Sequence, residues 1–210
     1  MRQIDTKDRL LEAAERLFAS GGLSRTSLRA ITCEAGVNVA AVHYHFGSKD
    51  ELLVELVRRR IAPMNEERLA RLEEIESRHS EGALPLDPVL RAFIEPAFRF
   101  RTEMSGQEQL GRFFGRLYSE PEEILESTLR EIFEDIAKRF RAAFARAVPG
   151  LPDSELDWRF HFLIGVVVHT LMGRREMDTP NDGTAPDHEV IDRVVAFTAA
   201  GLSAPVEIGQ

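Results

Sequence analysis

Apolar residues recur along this chain with the period of a helix, and almost nowhere with the alternation of a strand. From Leu10 the positions Leu10, Leu11, Ala14, Leu17 and Phe18 share one face, and Gly21-Gly22 closes the segment. Thr26 or Ser27 can cap a short helix that buries Leu28, Ile31 and Ala35 and stops at Gly36, and Asn38 can cap a third helix from Val39 to about Phe46. Ser48-Lys-Asp-Glu51 has the spacing of a capping box. It opens a fourth helix through Leu52, Leu53, Leu56 and Ile61 toward Ile75, with a kink expected at Pro63. After a loop between Arg78 and Pro88, four more helices are predicted over 88–103 (Asp87 as its cap, Pro96 interrupting it), 106–119, 121–148 and 153–172. Residues 176–187 read as a loop and 188–200 as a last helix, so the expected fold is all-α with about nine helices.

Composition changes this picture little. At 210 residues the chain can bury a core unaided, and 43% hydrophobic with 30% charged residues is the balance of a globular protein. The single cysteine, Cys33, excludes an intrachain disulfide and a cysteine-based zinc site; it is expected as a small buried residue. No run reaches the ~18 apolar residues of a membrane span, and the opening stretch lacks an apolar signal core. A cytoplasmic protein with no membrane partner is expected.

Charge is more informative. The net charge of −8 is unevenly placed: residues 1–60 carry ten Lys and Arg against eight Asp and Glu, and the remainder carries seventeen against twenty-seven. A slightly basic head on an acidic body favours one orientation on a polyanion.

The two short helices between flanking ones have the layout of a helix-turn-helix, whose second helix enters the DNA major groove. At 100° per residue from Val42, Phe46 lies about 40° away and Val39 about 60°, while Ala40 lies about 160° and Tyr44 about 200° away. One side should therefore pack. The other offers small Ala40 and Ala41, which let the backbone approach bases, and the donors of His43, Tyr44 and His45. Lys49 adds a charge suited to phosphate, and Thr26 and Ser27 can donate to phosphate at a helix N-terminus. His43 and His45 point about 200° apart and cannot share one metal ion.

The run Thr26-Ser-Leu-Arg-Ala-Ile-Thr-Cys-Glu-Ala-Gly-Val-Asn-Val-Ala-Ala-Val-His-Tyr-His-Phe-Gly-Ser-Lys-Asp-Glu-Leu52 closely resembles the DNA-binding head of the tetracycline-repressor family, within a match from Leu10 to Leu53. The resemblance implies a homodimer with a three-helix head over 1–52 and a ligand-binding and dimerisation body over 53–210. It places DNA contacts on Thr26, Ser27, Arg29, Ala40, Ala41, His43, Tyr44, His45 and Lys49. Ala40-Ala41 departs from the polar residue or glycine common there, so base reading would lean on Arg29, His43 and apolar contacts to thymine methyls. Val37 to Lys49 with Arg58 to Leu72 also looks like the branch that includes regulators of fatty-acid degradation, implying a fatty acid or acyl thioester as effector.

Ten of the 13 phenylalanines fall between Phe93 and Phe162. An apolar effector pocket is expected to draw on Phe93, Phe98, Phe113, Phe114, Leu117, Phe133, Phe140, Phe162 and His169; His161 and His169 read as pocket or core histidines. Arg99, Arg112, Arg116 or Arg141 could hold an anionic head group, or else line a solvated face. A dimer interface is expected from Phe160, Leu163, Val167 and Leu171 with Val190, Val194, Val195 and Phe197. No catalytic residue, metal or cofactor is expected, because the chain has no G-x-S-x-G elbow, HExxH or glycine-rich phosphate loop. The leading reading is a DNA-binding regulator with operator DNA, a small apolar effector and a second copy as partners. The other is a helical small-molecule-binding protein or enzyme whose head meets a protein.

Overall fold

The computed structural model describes residues 5–105, 113, 122–173 and 187–206. These form eight helices and, among the described residues, no strand: α1 (Thr6–Gly21), α2 (Leu28–Ala35), α3 (Val39–His45), α4 (Lys49–Arg78), α5 (Leu86–Ser105), α6 (Glu122–Ala147), α7 (Asp153–Gly173) and α8 (Asp187–Ser203). The expected helix over 106–119 lies outside the described residues, except for helical Phe113. Two compact units result, one from Met1–Pro63 with Thr102–Glu134 and one from Met64–Arg101 with Asp135–Gln210.

In the first unit α1 packs on α2 and α3 around Leu10, Ala14, Phe18, Ile31 and Val42, all fully buried. Phe18 stacks on Phe113 at 6.3 Å. The helix α1 begins at Thr6, ahead of its apolar stripe, because its first turn is tied down by charge: Lys7 pairs with Glu55 at 2.6 Å and Asp8 with Arg59 at 2.6 Å. Two turns later buried Glu15 is matched by Arg60. Gly36 ends α2 at φ +65°, and the Arg9 guanidinium reaches the carbonyls of Ala35 and Gly36, where a cation satisfies the negative end of the helix. The helix α4 runs unbroken through Pro63, which deprives only the Arg59 carbonyl of its donor four residues on.

The second unit holds the remainder of α4, most of α5, the end of α6, and α7 and α8, which pack on each other. The helix α5 starts at Leu86, so Asp87 and Pro88 lie inside its first turn and Pro96 does not end it. Asp87 serves there as partner to Arg91, at 3.0 Å. At the core Phe93, Phe140, Phe144 and Phe160 form a closed ring of aromatic contacts with centroids 5.0–6.3 Å apart. Arg159 donates to the carbonyls of Gly201, Leu202 and Ala204, closing the C-terminus of α8 as Arg9 closes α2. None of the described helices is long and apolar enough to cross a membrane.

Candidate nucleic-acid interface

The helix-turn-helix is built by side chains satisfying the ends of its own helices. Ser27 Oγ accepts from the Ala30 N–H at 3.2 Å and caps α2, and Asn38 Oδ1 accepts from the Ala40 N–H at 3.0 Å and caps α3. Ser48 Oγ accepts from the Glu51 N–H at 3.1 Å at the start of α4. Between α3 and α4 Gly47 has φ +83°, a backbone conformation that L side chains rarely adopt, so any side chain placed there would strain the turn.

Against this frame α3 presents a clear outer side. Val42 and Phe46 are buried, while Ala40, His43 and Tyr44 are exposed, Tyr44 to 86%. Ala41 and His45 are half-buried, and the Tyr44 and His45 rings meet edge to face at 5.0 Å. Val39, expected on the packed side, stands 36% exposed, because at the first position of α3 it projects ahead of the contact with α2. The His43 Nδ1–H donates to the Gly47 carbonyl at 2.8 Å. That fixes the ring and leaves Nε2 as an outward acceptor in the neutral imidazole, suited to the amino group of adenine or cytosine.

The remaining expected contacts divide. Ser27 and Arg29 are exposed, and the Ser27 hydroxyl keeps its proton free while its oxygen caps α2. Thr26, by contrast, is buried with its hydroxyl donating to the Gly22 carbonyl at 2.7 Å, so its side chain closes the turn before α2. Lys49 Nζ donates to the Leu23 and Thr26 carbonyls at 2.7 and 3.0 Å, bracing the same turn.

This bracing accounts for the weak charge bias of the head. Lys7, Arg16, Arg58, Arg59 and Arg60 sit on carboxylates, and Arg9 and Lys49 on carbonyls. Arg25 and Arg29 have neither kind of partner among the described residues of the head. Arg25, beside the N-terminus of α2, was not singled out by sequence because nothing in the local pattern separates a committed arginine from a free one.

The other expected sites are redistributed. Phe93, Phe98 and Phe140 are buried in the second unit, Phe113 is buried and Phe133 half-buried in the first, and Phe114 and Leu117 lie outside the described residues. Phe162 and His169 are exposed on α7, as is His161, so the three leave the pocket and core readings. Phe160, Leu163, Val167, Val194 and Val195, expected at a dimer interface, are buried within their own unit, whereas Leu171 and Val190 are half-buried. The reason is that α7 is apolar all round, so its period does not reveal which face turns inward. Trp158 and Phe162, a turn apart on one side of α7, are 61% and 59% exposed, and α8 adds Phe197 at 68%; Ile164, 36% exposed, lies about 160° round α7 from Phe162. Cys33, expected inside, is exposed on α2. Arg99 pairs with Glu67 and Arg141 with Asp153 and Asp157, which answers their charges within the chain; Arg112 and Arg116 lie outside the described residues. No cluster of metal-ligating side chains occurs among the described residues.

A capped helix-turn-helix head on an all-helical body is the build of a one-component DNA-binding regulator. Residues 10–56 match the model of the bacterial regulatory proteins of the tetR family, and residues 91–201 match the tetracyclin repressor-like C-terminal domain. The chain belongs to the tetracycline-repressor family. It is 44% identical over 55 residues to the probable regulator YttP of Bacillus subtilis (strain 168), covering 26% of this chain and 27% of that protein. With the repressor KstR2 of Mycobacterium tuberculosis (strain ATCC 25618 / H37Rv) it shares 30% identity over 118 residues, covering 48% of this chain and 59% of KstR2. These matches thus span about a quarter to three-fifths of the curated relatives. A solved SmeT–triclosan complex has the same fold at 23% identity, with a TM-score of 0.66 over 98% of this chain and 97% of that one.

Proposed function

We propose that this chain is a ligand-responsive transcriptional repressor that binds a pseudo-palindromic operator as a homodimer and is released by a small apolar effector. The observation that carries the reading is the outer side of α3: two small residues, a fixed His43 acceptor and a fully presented Tyr44, on a helix whose Val42 and Phe46 are locked into the head. Ser27 and Arg25 supply the phosphate-seeking side, Arg29 joins His43 in reading bases, and the head is taken as 1–52 and the body as 53–210. Trp158, Phe162 and Phe197 are three of the six large apolar residues exposed among the described residues, and two copies of the α7 and α8 surface that bears them make a four-helix interface. Two-fold symmetry then puts half-sites roughly 34–36 Å apart or a multiple of that. The buried aromatic ring of the second unit favours an apolar effector, with fatty acids and acyl thioesters the first class to try.

The direct test is protection of DNA upstream of the protein's own gene, with a gel shift across salt concentrations. A head that meets protein instead would protect nothing. Arg25→Ala should weaken binding to every sequence and reduce the salt slope by roughly one, and Tyr44→Ala should weaken it without changing the slope, since it removes no charge. An unchanged slope in Arg25→Ala removes that residue from the phosphate contacts. Arg29→Ala and His43→Ala should instead relax discrimination at particular base pairs by about 1–3 kcal/mol each. A uniform loss across operator variants would move both to the backbone.

A further inference from the structure

Arg68, on α4, is the one strongly buried arginine of the described residues, at 4% exposure. Its neighbours in the unit answer their charges with carboxylates: Arg71 with Glu67 and Glu95, Arg99 with Glu67, and Arg91 with Asp87, Glu95 and Asp192. Arg68 does not. Its Nε donates to the Phe93 carbonyl at 2.9 Å and its Nη1 to Asn65 Oδ1 at 3.3 Å, and the guanidinium lies 4.3 Å from the centre of the Phe93 ring. All three partners are neutral. Nη2 brings two further N–H donors that no described residue accepts, and it is not among the fully buried polar atoms without a partner, so it stays within reach of solvent or a ligand.

A largely buried cation answered only by neutral groups is costly, because most of its hydration is lost and only dipoles and a ring replace it. Burial accordingly lowers the Arg68 pKa to about 10, which still leaves it charged at neutral pH. The surroundings are apolar: Met64 and Leu72, one turn either side on the same face of α4, are buried, as are Phe93 and Ala97 of α5. Such a site lacks one thing, an anion small enough to meet the planar fork and attached to something apolar.

We propose that Arg68 is the anchor for the effector, and that the effector is an apolar chain ending in a carboxylate received by Nη2. This rests on the reading of the body as an effector-binding unit and narrows its ligand. A carboxylate offers two oxygens in the plane of the guanidinium, a match the carbonyl of an ester or thioester does not make.

The experiment titrates dodecanoate, methyl dodecanoate and dodecylammonium into the full-length protein by calorimetry, with operator binding measured separately on the same sample. In the wild type dodecanoate should bind at least about tenfold tighter than the ester, and the amine should not bind. In Arg68→Met the preference for acid over ester should collapse to within about twofold, with ester binding retained as evidence of an intact fold. Arg68→Lys should fall between, keeping the charge without the fork. Equal binding of acid and ester by the wild type, or an acid preference surviving in Arg68→Met, overturns the proposal. Should neither variant fold, the wild-type comparison of acid with ester still decides. A wild type that shifts operator DNA but takes no dodecanoate overturns the carboxylate anchor and leaves the repressor reading standing. One that binds dodecanoate through Arg68 and no DNA supports the anchor and overturns the repressor reading.

Discussion

Replacing Phe162 and Phe197 together with arginine is expected to give a folded monomer whose operator affinity falls about 10²–10⁴-fold. The size follows from linkage: with two heads joined, the second docks at the effective concentration set by the first, and separating the copies removes that gain without touching a DNA contact. Both side chains are largely exposed, so the charges cost the single copy little. Val194→Arg is the contrasting variant. Val194 is 5% exposed, and an unpaired charge there should unfold the body before it affects assembly. Sedimentation with a gel shift separates the two outcomes, and a wild type that sediments as a monomer, or a double variant that stays dimeric, would refute this interface.

Phe18→Ala should cost about 3–5 kcal/mol in urea unfolding, the largest loss from a single truncation in the first unit. Phe18 is fully buried, stacks on Phe113 and lies on the same stripe as Leu10, Leu11 and Ala14, so no neighbour can close the space without shifting a helix. Operator binding should fail at lower temperature in this variant while its salt slope is retained. A loss below ~1 kcal/mol would mean that the site collapses around alanine and that the head is softer than its packing indicates.

Most of the head was legible in the sequence because its features are local. Asn38, Ser48 and Gly36 act within a few residues of themselves, and the spacing from Val42 to Phe46 assigns the inner side of α3. What escaped depends on contacts distant in sequence. Arg68 follows Glu66 and Glu67 in a strongly charged stretch and reads as solvated; only the Phe93 carbonyl, 25 residues on, shows that it is buried. The opposite failure occurs on α7, where an excess of apolar residues erases the phase: Phe160 and Phe162 look interchangeable, yet one joins the aromatic core and the other stands in solvent. Thr26 and Lys49 illustrate a third case, in which the residue type suits phosphate but nearer carbonyls claim the donor.

The charges joining α1 to α4 do more than hold two helices together. Lys7 meets Glu55 and Asp8 meets Arg59, one turn further along α4. Sliding α1 forward by a turn would bring Lys7 toward Arg59, and sliding it back would bring Asp8 toward Glu55, so like charges meet in either direction. Each exposed pair contributes little to stability alone, but together they make the neighbouring alignments unfavourable as well as the native one favourable. The outer side of α3 is carried on α1 and α2, so this pattern works as a vernier: it sets the position of the recognition surface in whole helical turns before any DNA is present.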